Sequence, residues 1–182
     1  MTFFREAIQQ LLTGSTTQRI ELKEAYEELP GTRCQRRTDC CSLLPEMNLL
    51  EALAAIQMLV KMAPKQRLQV CRRMLSYFFL NPVEIISCPF LQGQDCLIYE
   101  NRFFGCRAYG LWSKQYYEEQ AEGSRQAKQL SQTKWKGLGV RLPQPVVDFC
   151  LPYCPYVELE EGVQVDDDMI LHISDAIETL SG

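Results

Sequence analysis

Nine cysteines beside a single histidine constrain this 182-residue chain more than any other feature of its sequence. Eight of the cysteines fall in three groups within loop-like stretches, where the backbone can bend to aim several sulfurs at one point. These eight are Cys34, Cys40, Cys41, Cys88, Cys96, Cys106, Cys150 and Cys154. Thiolates suit zinc and iron–sulfur clusters, and eight are enough for two four-cysteine sites. The grouping therefore predicts a metal site built from cysteine alone.

The N-terminal residues predict that the chain stays in the cytoplasm. Residues 1–12 have no unbroken apolar core and no small-residue cleavage site, and they include the charged Glu6. No apolar stretch approaches the ~20 residues that span a bilayer, so we expect no membrane partner. Cytoplasmic thiols stay reduced, which favours metal ligands or reactive thiols over disulfides.

Composition and charge describe an ordinary globular chain with an acidic end. Hydrophobic residues make up 46% and charged residues 23% of the chain, and its length predicts a single domain over residues 1–182. Residues 158–182 hold eight acids and no Lys or Arg, whereas residues 1–157 carry a net charge of +4. The acidic run predicts a solvated loop and helix start. A charge of +4 is too mild for a nucleic-acid-binding surface, so no nucleic-acid partner is expected.

Hydrophobic periodicity predicts a mainly α fold, a small helical domain with loop-rich, cysteine-bearing segments around a metal site. The predicted helices span residues 2–13, 17–28, 47–62, 64–80, 111–135 and 166–180. Residues 83–110 are predicted to form loops with one hairpin, and residues 137–165 to be irregular. This divides the domain into N-terminal helices (1–30), a cysteine-cluster region (34–110) and a helical C-terminal part with an irregular cysteine-bearing segment (111–182).

The ninth cysteine, Cys71, lies in the predicted helix 64–80 rather than in a loop. The apolar pattern of that helix predicts that Cys71, Met74, Leu75 and Phe78 face the core. We therefore expect Cys71 to be a small buried hydrophobe and not a ligand. His172 lies inside the last predicted helix, where a packed or surface histidine is expected.

Three strings in the cysteine-cluster region carry a family resemblance. They are CQRRTDCC at residues 34–41, CPFL at 88–91 and CLIYENRFFGCR at 96–107. In this order residues 34–109 resemble the YkgJ-type cysteine-cluster family, a zinc- or iron-chelating domain that opens on CxxCxxCC and is related to flagellin lysine methylases. The resemblance implies that the six cysteines from Cys34 to Cys106, other than Cys71, bind metal.

The chain departs from the family pattern at two positions. Arg37 stands where the family has its second cysteine, and Phe103 stands where a proline is usual. The first departure removes one potential ligand. Cys150 or Cys154 could take its place, an expectation that rests on the pattern of this chain and not on the resemblance.

Grouped cysteines without a histidine partner favour an iron–sulfur cluster of the [4Fe-4S] type over Zn²⁺. The main hypothesis is a cytoplasmic metal-binding protein that holds one or two iron–sulfur clusters through cysteine thiolates. It would act in electron transfer, or as an accessory or maturation protein that works with a redox enzyme or another protein partner. The alternatives are a structural zinc-binding interaction module and a metal-dependent protein lysine methyltransferase-like enzyme. No glycine-rich loop suited to a methyl donor or dinucleotide is present, so a chain that is not an enzyme on its own is favoured and no catalytic residue is assigned.

Overall fold

Helices make up most of the structure, as the periodicity predicts. The computed structural model describes residues 2–33 and 37–181 of the chain, and Cys34 lies outside these residues. The helices within this range are α1 (Thr2–Gly14), α2 (Thr16–Glu27), α3 (Leu49–Lys61), α4 (Pro64–Leu80), α5 (Phe104–Ala108), α6 (Lys114–Gly137), α7 (Gln144–Asp148) and α8 (Asp167–Thr179). The predicted mainly α fold class is confirmed. None of the helices described is long and apolar enough to cross a membrane.

Local capping residues explain where the longer helices begin. The Asn48 side chain accepts a hydrogen bond from Glu51 N at the start of α3, and Pro64 occupies the first turn of α4, where its missing N–H costs nothing. Asp166 caps α8 by accepting from Met169 N, as the acidic run predicts. These signals explain why the six predicted helices match α1, α2, α3, α4, α6 and α8 with ends shifted by at most three residues.

The described residues contain two short antiparallel strand pairs, and the first of them joins distant parts of the chain. Strand β1 (Thr32–Arg33) pairs with β4 (Glu158–Leu159), and β2 (Leu91–Gln92) pairs with β3 (Asp95–Cys96). The second pair is the predicted hairpin. Its two-residue turn has a positive φ of 64° at Gly93 only, the pattern of a type II′ turn. The hairpin places Cys96 opposite Leu91.

One buried apolar cluster joins helices α2, α3, α5 and α8. It contains Leu22, Ala25, Leu29, Leu50, Ala108, Leu111, Ile170, Ile173 and Ile177. The α8 residues in this set recur three or four positions apart, so α8 presents one apolar face to α2. This cluster fixes the frame on which α5 is held.

A second apolar cluster surrounds the cysteine-bearing loops. Its buried members are Ala55, Leu59, Val70, Cys88, Phe90, Ile98 and Phe103, with Cys41, Cys96 and Cys106 packed against it. Helices α3 and α4 therefore form a wall behind the residues that the sequence singled out as ligands.

The inward face of α4 differs from the predicted one. Cys71 is exposed, and Leu75 and Phe78 expose 59% and 66% of their surface, so the prediction that they face the core is wrong. Val70 and Tyr77 are buried instead. The helix carries apolar residues on two sides, and tertiary packing selects the side that holds Val70, which periodicity alone cannot distinguish.

Candidate metal centre

Five cysteines from three stretches of the chain line one cavity. They are Cys40, Cys41, Cys88, Cys96 and Cys106. The cavity measures about 70 Å³, several times the roughly 10–15 Å³ that one water molecule requires. The sulfurs of the predicted ligands that the structure describes between residues 40 and 106 therefore face a common space.

Backbone hydrogen bonds hold these stretches together. Cys40 and Cys41 lie in a 3₁₀ turn, Asp39–Ser42, and Cys88 N donates to Cys41 O at 2.7 Å. Leu97 N donates to Phe90 O at 2.9 Å and so binds the chain after Cys96 to the chain after Cys88. These backbone hydrogen bonds position the cysteine side chains relative to one another.

Thr38, the residue before this 3₁₀ turn, has a left-handed backbone with φ of 63°. A β-branched residue rarely adopts that conformation, because its Cβ crowds the following carbonyl. The Thr38 carbonyl nevertheless accepts from Cys41 N at 2.8 Å, and this bond closes the turn that carries two sulfurs. Strain of this kind concentrates at functional sites.

Two phenylalanines close the cavity against water. Phe90 and Phe103 are almost completely buried and also line the cavity, with ring centroids 5.9 Å apart. Apolar walls of this kind lower the local dielectric and so disfavour isolated charge. Sulfurs in the cavity consequently need a cation if several of them are to ionise together.

Burial and mutual repulsion suppress ionisation of most of these thiols. Burial raises the pKa of Cys88 to about 11, with Cys96 and Cys40 adding repulsion. Burial also raises the pKa of Cys96 and of Cys106. Because each thiolate disfavours the next, Cys88, Cys96 and Cys106 keep their protons at neutral pH.

The adjacent pair Cys40 and Cys41 behaves differently. Their sulfurs lie 3.8 Å apart, within hydrogen-bonding distance. A thiol that donates to its neighbour's sulfur stabilises the neighbour's charge, which lowers the pKa of Cys40 to about 7 and raises that of Cys41. The pair therefore supplies the first thiolate of the cluster near neutral pH.

Arg102 is a positively charged side chain that favours ionisation of the cavity thiols. It lines the cavity and lowers the pKa of Cys40, and it opposes the rise in the pKa of Cys96 and Cys106. Its guanidinium lies 4.0 Å from the Tyr99 ring centroid, and its buried Nε has no hydrogen-bond partner. A buried N–H without a partner beside several sulfurs is suited to donate to an anionic centre.

Cys154 lies beside this cavity and Cys150 lies away from it. A second, smaller cavity of about 30 Å³ is lined by Cys154 together with Cys40, Cys106 and Arg102. The Cys150 sulfur is 3.7 Å from Ala121 O on α6 and lines neither cavity. Of the two late cysteines, only Cys154 approaches the cluster.

Side chains from helix α6 and from the loop after α5 hold the segment that carries Cys154. Tyr109, Tyr117 and Lys128 donate to the backbone carbonyls of Pro152, Leu151 and Phe149 in turn. Gly110 has φ of 87°, and a Cβ at this position would overlap the Val157 side chain. The absence of a side chain at Gly110 allows the segment to pack against the cluster.

Glu51 is a structural residue of the site that the sequence reasoning missed. Its buried carboxylate accepts hydrogen bonds from Tyr26 Oη and Phe104 N, each at 2.6 Å, and from Asn48 N at 3.1 Å. Phe104 begins α5, the helix that carries Cys106, so Glu51 fixes that helix against α2 and α3. The Asn48–Glu51 spacing of a capping box was the signal that could have identified it.

Within residues 2–33 and 37–181, no group of three or more Cys, His, Asp and Glu side chains stands in a geometry that could hold a metal ion. The five sulfurs share a cavity rather than a single point. His172 is exposed on α8, away from the residues that line this cavity.

Comparisons of the chain with models of protein families, with curated proteins and with solved structures each found no match. The resemblance of residues 34–109 to the YkgJ-type family therefore rests on the motif residues alone.

Proposed function

We propose that this chain is a cytoplasmic metal-binding protein that holds an iron–sulfur cluster of the [4Fe-4S] type through cysteine thiolates, in electron transfer or as an accessory protein. One observation carries the proposal: five of the eight cysteines in the described residues line a single cavity. Thiolates are the usual ligands of such clusters, and a cluster accepts cysteines that converge from separate loops.

The surroundings of the sulfurs support the same proposal. Phe90 and Phe103 shield the cavity from water, and burial and nearby donors tune a cluster's potential. Arg102 supplies positive charge beside the sulfurs, which offsets the net negative charge of a thiolate-bound centre. With four cysteines bound to one cluster, a fifth sulfur in the cavity stays unliganded.

A structural zinc site is the second candidate, and the Cys40–Cys41 pair favours it. Zinc bound by four sulfurs at about 2.3 Å in a tetrahedron separates those sulfurs by about 3.8 Å. The Cys40 and Cys41 sulfurs lie 3.8 Å apart. In this candidate the metal supplies folding energy and the chain acts as an interaction module.

Anaerobic purification with metal analysis tests the two candidates. We expect a brown protein with the broad visible absorption of an iron–sulfur cluster and with iron and acid-labile sulfide in equal amounts. A colourless protein that holds zinc would replace the first candidate with the second. A protein that contains neither metal and cannot be reconstituted with either would overturn both.

Two cysteine variants and a matched control locate the ligands. Cys88→Ser and Cys96→Ser each remove a sulfur from the cavity, and we expect both to lower bound metal by at least about tenfold. Cys71→Ser changes an exposed cysteine on α4 outside the cavity and should leave metal content unchanged. Metal loss in the Cys71 variant alone would contradict the ligand assignment.

A further inference from the structure

The outer face of α4 is apolar and exposed. Leu68, Leu75, Phe78 and Phe79 expose 52%, 59%, 66% and 78% of their surface. Large apolar side chains grouped in this way on one helix are typical of a protein-binding surface. The helix is not loose, because Tyr77 on its inner face is buried and accepts a hydrogen bond from Leu44 N at 2.9 Å.

The spacing of the exposed residues matches the seam of a coiled coil. Leu68 and Leu75 are seven residues apart, and Cys71 and Phe78 follow each of them by three. These four exposed residues occupy consecutive a and d positions of two heptads. A second helix laid along this line would cover all four side chains.

Basic residues flank the same line. Lys65 and Arg72 lie seven residues apart and both are exposed. With Leu68 at an a position, both fall at e, the position whose charge selects the partner helix. Helix α4 contains two further arginines and no acidic residue. Arg67 and Arg73 donate to the carbonyls of Val60 and Leu91, so Lys65 and Arg72 supply the outward charge.

Charge decides between the possible occupants of this face. A second copy of α4 in parallel or antiparallel register would bring Lys65 and Arg72 against arginines or against themselves, and like charges disfavour that pairing. A membrane that covers Leu68 and Phe79 would also receive Arg72, their neighbour around the helix, in its apolar layer, at a cost in desolvation. A helix with carboxylates beside an apolar seam satisfies both features.

We propose that the outer face of α4 docks an amphipathic helix of a partner protein, with apolar residues against Leu68, Leu75 and Phe78 and with Asp or Glu opposite Lys65 and Arg72. The inner face of α4 packs beside Cys88 through Val70. A partner on this surface is therefore separated from the cysteine cavity by the width of one helix, about 10 Å. The docking surface itself does not depend on a bound metal.

Fluorescence anisotropy with designed peptides tests this proposal. The probe is a labelled helical peptide of about three heptads with Leu at a and d and Glu at e and g, and its partner probe carries Lys at e and g. We expect the full-length protein to bind the Glu peptide at least about tenfold more tightly than the Lys peptide, with an affinity that falls as salt is added. The double variant Lys65→Glu/Arg72→Glu should reverse this preference.

Matched leucine variants separate the surface from general stickiness. Leu68→Ser/Leu75→Ser should lose peptide binding by at least about tenfold. Leu130→Ser/Leu138→Ser removes two leucines in and just after α6 that are more exposed than Leu68 and Leu75, and this variant should bind as the unchanged protein does. Equal loss in both double variants, or no binding of the Glu peptide, would overturn the proposal.

Two further measurements exclude the other occupants. Concentration-dependent dimerisation that the Leu68→Ser/Leu75→Ser variant abolishes would overturn the proposal in favour of a second copy. Flotation of the protein with phosphatidylserine vesicles that the Glu peptide does not reduce would overturn the proposal in favour of a membrane. Metal content measured in the same samples distinguishes the docking proposal from the iron–sulfur proposal. A protein that binds the Glu peptide but contains no metal would contradict only the iron–sulfur proposal.

Discussion

Arg102 places a half-buried positive charge beside Cys40, Cys96 and Cys106, and its buried Nε has no hydrogen-bond partner. This positive charge distinguishes a site for an anionic centre from a pocket of neutral thiols. In a purely apolar core this side chain would destabilise the fold. Its presence is explained when the sulfurs carry charge.

Replacing Arg102 tests this role. We expect Arg102→Met to weaken metal binding by about tenfold or more, because the loss of positive charge raises the pKa of three nearby thiols, and Arg102→Lys to recover part of it. Competition with a chelator measures the affinity, and the reduction potential should fall in the Met variant if a cluster is bound. Arg125→Met, on the exposed side of α6, is the control. Equal affinity in the Met variant and the unchanged protein would contradict the role.

Thr38 offers a second test at the residue scale. Its φ of 63° is compatible with Gly, so Thr38→Gly should stabilise the metal-free protein by about 0.5–1 kcal/mol and raise its melting temperature by roughly 1–4 °C. Thr38→Ala keeps the strained conformation and should give no gain. Thermal unfolding measures both variants, and a lower melting temperature for the Gly variant would show that Thr38 is not strained.

Among the helices, the short α5 depends on a single side chain from another element. Glu51 on α3 accepts from the first amide of α5, and Tyr26 on α2 shares the same carboxylate oxygen. This links three helices at one buried point. The same contact aligns Cys106, two residues further along α5, with the cavity.

We therefore expect Glu51→Gln to destabilise the protein by about 2–3 kcal/mol, because a neutral amide cannot replace the charge-assisted bonds without leaving a buried donor unsatisfied. The melting temperature should fall by roughly 5–10 °C. Glu21→Gln, on the exposed side of α2, is the matched control and should change little. Similar melting temperatures for the two variants would exclude the role of Glu51.

The helices could be predicted where local chemistry marks their ends, as Pro64 and Asp166 do. Helix α5 was not predicted, because five residues are too few to show a period and a contact with Glu51 holds them. The inward face of α4 was assigned wrongly for a related reason. Cys71 and Val70 are neighbours in a helix with two apolar sides, and only the three-dimensional packing decides which one is buried.

The residues around the cysteine cavity could likewise be predicted only in part. Their polar and glycine-containing sequence predicts loops, and the structure brings five of the cysteines to one cavity. The different environments of Cys150 and Cys154 could not be predicted, because they depend on contacts of the intervening backbone with Tyr109, Tyr117 and Lys128.

For the molecule as a whole, the raised thiol pKa values couple stability to pH. The folded pKa of Cys88 is about 11, against about 8.5 for an unfolded thiol. A raised acid pKa gives stability that is complete below the unfolded pKa and declines as pH rises towards the folded one. We expect the melting temperature of the metal-free protein to fall between about pH 8.5 and pH 11.

Metal binding should have the opposite dependence, because the bound thiols must lose their protons. Apparent metal affinity is expected to rise from pH 6 to pH 8, and titration calorimetry in two buffers should detect protons released on binding. The metal-free Cys88→Ala variant should show a smaller decline in melting temperature at high pH than Cys71→Ala does. A melting temperature independent of pH in the metal-free protein would contradict the burial of these thiols.

The distribution of the cavity-lining cysteines along the chain also has a consequence for biosynthesis. Cys40 and Cys41 leave the ribosome first, and Cys106 follows about 65 residues later, which takes several seconds at roughly 5–20 residues per second. During this interval the early thiols are exposed, without the partners that surround them in the folded protein. Ala108 of α5 packs in one buried cluster with Ile170, Ile173 and Ile177 of α8, so α5 is fully packed only after α8 has been synthesised. Any metal must therefore be delivered to a nearly finished chain.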